Sequence, residues 1–134
     1  MKYQIMSVFC VGALALGLAA CTGVSTSSVG YNQQNGRPKF VTLDPLTKEA
    51  ITSPGIQETV LPDGRLMVKA NVRNRLNKRV HVQINCVFHD AQGFKVDETP
   101  YETLILTENG QETVSFTSLR EGVKDYVVQI RQVR

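Results

Sequence analysis

The sequence predicts an all-β domain, an antiparallel β-sandwich of seven or eight short strands. Three observations carry that prediction: apolar residues at every second position in several stretches, turn-forming residues at short intervals between them, and no long stretch with amphipathic helical spacing. The clearest alternation runs from Leu66 to Arg73, where Leu66, Val68, Ala70 and Val72 fall on one side. It recurs from Val80 to His89, with Val80, Val82, Ile84, Cys86 and Phe88 on one face and His81, Gln83, Asn85 and His89 on the other.

The remaining elements follow in order. Phe40 to Leu43 reads as a first short strand, and Asp44 as N-cap with Pro45 at the first helical position starts a brief helical turn. Ser53-Pro54-Gly55 ends that turn, Ile56 to Leu61 is strand-like, and Pro62-Asp63-Gly64 is a hairpin turn. Residues 74–79 are a polar connection whose two asparagines tolerate left-handed backbone angles. Asp90-Ala91-Gln92-Gly93 turns the chain into a strand from Phe94, and residues 97–101 cross irregularly to Thr103–Leu106. Asn109-Gly110 is another hairpin signal, Thr113 to Thr117 alternates, Leu119 to Lys124 is a loop, and Tyr126 to Val133 is the closing strand.

Ahead of this domain the composition changes twice. Lys2 precedes 14 mostly apolar residues, Ile5 to Leu18, and Ala19 and Ala20 follow. A bilayer span needs about 20 apolar residues, so these are the parts of a secretory signal and not of a membrane helix. Residues 22–39 are rich in Ser, Thr, Gly and Asn and too poor in large apolar side chains to bury a core. The expected organisation is a signal at 1–20, an attachment point and flexible tether at 21–39, and the sandwich at 40–134. A flexible chain of that length spans roughly 24 Å root-mean-square.

Leu18-Ala19-Ala20-Cys21 resembles the lipobox of bacterial lipoproteins. The resemblance implies cleavage before Cys21, acyl chains on its thiol, and attachment to the membrane through them. Because Thr22 and not Asp follows, it also implies the outer membrane. Two other readings stay open: export with Cys21 left as a plain thiol, and a buried N-terminal helix. With Cys10 removed and Cys21 acylated, Cys86 is a lone thiol, so no internal disulfide supports the fold.

Charge excludes one class of partner. The 15 basic and 12 acidic residues become 14 and 12 once Lys2 leaves with the signal, too mild an excess for a nucleic-acid binder. His81 and His89 lie about 26 Å apart on one strand and cannot share a metal ion. Cys86 has the opposite parity to both, which argues against a Cys-His nucleophile and for a buried, inert thiol. Asp90, Asp97 and Glu98 lack the ligand spacing of a calcium loop, and the sequence has no phosphate loop, nucleophile elbow or zinc-protease motif. No catalytic residue and no cofactor is predicted.

Two surfaces are left. Arg73, Arg75, Lys78, Arg79 and His81 form a basic cluster, read either as a solvated hairpin that guards a sheet edge or as an anion or partner site. Phe94 and Tyr101 are candidate aromatic contacts for a partner, or minor core at the sandwich end.

Asn74-Arg75 leading into a Val-Gln strand, Phe88-His89-Asp90-Ala91-Gln92-Gly93-Phe94 and Tyr126-Val127-Val128-Gln129-Ile130-Arg131, together with the lipobox, resemble the YcfL-like family of small periplasmic lipoproteins. The resemblance covers roughly residues 40 to 134. It implies an immunoglobulin-like sandwich on the periplasmic face of the outer membrane and carries no catalytic residues. The expected function is a lipid-anchored envelope module acting by protein contact. The alternative is a structural lipoprotein that binds peptidoglycan or lipopolysaccharide through the basic cluster.

Overall fold

The computed structural model describes residues 37–134; the signal, Cys21 and most of the expected tether lie outside them. The elements are β1 (Phe40–Thr42), α1 (Pro45–Ala50), β2 (Ile51–Val60), β3 (Arg65–Asn74), β4 (Val80–His89), β5 (Lys95–Glu98), β6 (Glu102–Leu106), β7 (Gln111–Glu121) and β8 (Asp125–Gln132). One sheet has the order β2-β3-β7. In the other, β1, β8 and β4 lie side by side, and β5 and β6 follow one another along the far edge of β4.

The alternation seen in the sequence is what lets these sheets face each other. Val68, Ala70, Val72 and Phe116 project from one sheet, and Val82, Ile84, Cys86, Phe88, Leu106, Val128 and Ile130 project from the other. Burying each large side chain contributes about 1.5–3 kcal/mol. Val80, also expected inside, is only half-buried at the first position of β4, although it packs against the core. The pairing β2-β3-β7 against β5/β6-β4-β8 is that of an immunoglobulin-like sandwich. One pair departs from the antiparallel expectation: β1 runs parallel to β8, with Phe40 beside Val128.

Several expectations are corrected. Residues 75–79 do not close a hairpin, because β3 and β4 are the central strands of different sheets. Arg75, Lys78 and Arg79 therefore sit on a crossover between layers, flanked by Arg73 on β3 and His81 on β4, and guard no edge. Asn109 does adopt a left-handed φ of 54°, but the turn at Asn109-Gly110 leads from β6 in one sheet to β7 in the other. Ser53-Pro54-Gly55 does not end an element; β2 runs through it with a register shift between Thr52 and Gly55. A proline is tolerated there because β2 is an edge strand and the shift relieves its missing N–H. Residues 119–121 belong to β7 and not to a loop. Lys39, expected in the tether, is buried, with Nζ 3.1 Å from Asp125 Oδ1 and 3.9 Å from the centre of the Tyr126 ring.

Candidate binding groove

The Asp44-Pro45 start signal holds: the Asp44 carboxylate accepts the Thr47 N–H at 2.8 Å and the Thr47 hydroxyl at 2.7 and 2.9 Å. It also accepts the Gln132 N–H at 2.8 Å, tying α1 to the end of β8. Burial works to raise this carboxyl's pKa, but the bonds from Thr47 and Gln132 outweigh it and hold the group below the usual carboxylate range. At its other end α1 is clamped by Arg75, whose backbone N–H donates to Ala50 O at 2.8 Å and whose Nη2 donates to Lys48 O at 2.6 Å.

Between the clamped helix and the 75–79 crossover lies an open groove of about 450 Å³. Leu46 and Ala50 line it from α1, Leu76 from the crossover, Val80 and Val82 from β4, and Val133 from the chain's end. Lys78, Arg79 and His81 line it as well, with Glu49 on the helix side. Leu46 is 61% exposed, a large apolar side chain left facing solvent within the groove. The arrangement suits a ligand with an apolar stretch and negative charge beside it.

The crossover that carries Lys78 and Arg79 is shaped from inside by Asn74, which is fully buried. Its Nδ2 donates to Lys78 O at 2.7 Å and Thr107 O at 2.9 Å, and its Oδ1 accepts the Leu76 N–H at 2.9 Å.

Of the five basic residues singled out from sequence, the fold brings Lys78, Arg79 and His81 to the groove. Arg75 is spent on clamping α1, and Arg73 lies on the outward-facing side of β3, away from the groove. The aromatic pair is not brought together. Phe94 is 71% exposed at the β4–β5 turn. Tyr101 is half-buried on the outer face of the β4 sheet, covered by the Arg131 guanidinium 3.7 Å from its ring centre. Arg131 also donates from Nε to Gln83 Oε1 at 3.1 Å. Nearby, Lys95 and Asn85 donate to Glu98 at 2.9 Å each. The Lys95 bond, against a smaller opposing effect of burial, holds Glu98 below the usual range. Asn85 Oδ1 is buried there without a hydrogen-bond partner among the described residues.

The histidines sit at opposite ends of β4, His81 in the groove and His89 beside the β4–β5 turn. Cys86 is fully buried, and burial pushes its thiol far up, leaving it un-ionised. Sequence reasoning missed the apolar half of the groove. Its one available sign was Leu46, a large apolar residue in a helical turn with only Ala50 at i+4 on the same face.

Comparison with solved structures places the chain beside two crystal structures. Campylobacter jejuni cj0090 is 15% identical at a TM-score of 0.59, the match covering 72% of this chain and 100% of that one. A DUF1425 family member from Shewanella sp. pv-4 is 15% identical at a TM-score of 0.55, covering 63% of this chain and 77% of that one. No family model and no curated protein matches the sequence. At this identity the likeness is one of fold: the chain is a β-sandwich similar to a domain of unknown function.

Proposed function

We propose that this chain is a non-catalytic, lipid-anchored binding module of the bacterial envelope. It is held through acyl chains on Cys21 at the periplasmic face of the outer membrane and acts by contact through the groove. The groove carries the reading: a preformed apolar floor with Lys78, Arg79 and His81 beside it, on a helix and crossover fixed by Asp44, Asn74 and Arg75. Such a site suits a protein segment presenting apolar side chains next to carboxylates. The fold likeness to a DUF1425 domain and the lipobox support membership of the YcfL-like family. The deeply buried thiol of Cys86 and the separation of His81 from His89 support the absence of nucleophilic or metal chemistry.

A photo-crosslinking residue in place of Leu46, in living cells, tests the contact. The expected result is a discrete protein adduct that is lost when Lys78→Glu and Arg79→Glu are added. Adducts running only with purified sacculi or lipopolysaccharide would replace the protein partner with the polysaccharide alternative. No adduct of either kind would sink the groove as the working surface.

A further inference from the structure

The end of the sandwich opposite the groove gathers the three most exposed large apolar side chains among the described residues. These are Leu119 at 79%, Phe94 at 71% and Val60 at 69%. They come from different elements, yet the turns that carry them converge. Gly122 N–H donates to Gly64 O at 3.3 Å, and Lys124 N–H donates to His89 O at 3.0 Å.

Two of the three are presented in the same way. Asp90 Oδ1 accepts the backbone N–H of Phe94 at 2.9 Å, and Asp97 Oδ2 accepts that of Leu119 at 2.5 Å. Each apolar side chain thus stands on a backbone braced by a carboxylate. Ordering them costs little when a partner arrives.

Charge and chain path identify the partner. Arg37, Arg120 and Lys124 are exposed at this end and take part in no ion pair among the described residues, nor does the exposed carboxylate of Glu121. The half-buried Asp90 and Asp97 are engaged by the backbone N–H groups of Phe94 and Leu119. Arg65 and Lys95 are already matched by Asp63 and Glu98, and the buried Lys39 by Asp125 and the exposed Glu58. Arg37 is the first described residue, and its Nη1 reaches Gly93 O at 3.5 Å, beside Phe94. The chain therefore enters the domain here and β1 leads away from this end, while the ten-residue β4 spans the distance from the groove at Val80 to this end at His89.

We propose that this end is a membrane-docking face. Phe94, Leu119 and Val60 enter the interface of an anionic phospholipid bilayer, while Arg37, Arg120 and Lys124 meet its headgroups. Exposed apolar tips with unpaired cations beside them are the chemistry of interfacial binding. Docking this way holds the groove about 33 Å off the bilayer, one length of β4, facing away from it. The inference rests on the anchoring reading only for what brings the chain to the membrane.

The chain has no tryptophan, so a single one reports its own surroundings. Phe94→Trp, Leu119→Trp and, at the groove end, Leu46→Trp are reconstituted as the full lipidated chain. The vesicles are phosphatidylethanolamine and phosphatidylglycerol, with and without brominated acyl chains, and flotation is scored first. Phe94→Trp and Leu119→Trp should shift to the blue and be quenched by the brominated lipid. Leu46→Trp should not, and adding Arg37→Glu, Arg120→Glu and Lys124→Glu should reduce the quenching at least twofold. Chains that float with the first two variants unquenched, or with all three quenched alike, overturn the docking face and leave the anchor standing. Chains that do not float overturn both.

Discussion

Asn74 shows how a single buried side chain sets up a surface it never reaches. Its three hydrogen bonds go to Lys78 O, Thr107 O and the Leu76 N–H, so they fix the crossover on which Lys78 and Arg79 stand. From sequence the residue read as a turn former, chosen for its tolerance of left-handed angles. In the structure Asn109 is the one non-glycine described residue with a positive φ, and Asn74 acts through its amide instead. Nothing in the local pattern separates these two uses, because the bonds reach Thr107, 33 residues away. Asn74→Ala leaves a buried N–H and two carbonyls without their partner and should cost about 3 kcal/mol. Urea denaturation measures it. A loss under about 1 kcal/mol would show that water replaces the amide and that the crossover is not built on it.

At the scale of elements, the alternating strands were legible and their partners were not. Val82, Ile84, Cys86 and Phe88 were assigned to the inner face by parity alone, and all four are buried. Parity fixes which way a side chain points but not which sheet the strand joins. The turn at Asn109-Gly110 and the 75–79 connection therefore read as hairpins although both cross between layers. The sequence places an irregular crossing at 97–101; the structure narrows the break to 99–101, with Asp97 and Glu98 in β5, and shows both pieces pairing with β4 around Thr99. There the Thr99 N–H donates to Cys86 O, and its hydroxyl accepts the Cys86 N–H. The register of β6 makes a sharp test, since Leu106 is fully buried while its neighbour Ile105 is 51% exposed. Leu106→Ala should cost about 3 kcal/mol and Ile105→Ala under about 0.5 kcal/mol. Thermal unfolding of the two variants compares them directly, and a one-residue slip of β6 would reverse the order.

For the whole molecule, the groove and the proposed docking face lie at opposite ends of the sandwich, and docking would fix the height of the groove. If the tether alone held the domain, the groove would wander within the reach of a flexible chain, roughly 24 Å root-mean-square at the expected length. Doubling that chain with Gly and Ser would raise the reach to roughly 34 Å, since it grows as the square root of length. If Phe94, Leu119 and Val60 rest on the bilayer, the rigid length of β4 sets the height of the groove and added tether is slack. Leu46→Cys supplies a labelling site at the groove, because Cys86 is fully buried and out of a dye's reach. Energy transfer from a dye at that site to a fluorescent lipid should be unchanged by the longer tether. It should fall with tether length once Phe94→Ser and Leu119→Ser remove the apolar tips. A wild-type domain whose transfer falls on lengthening the tether is dangling, and its groove then has no fixed orientation towards partners beyond the membrane.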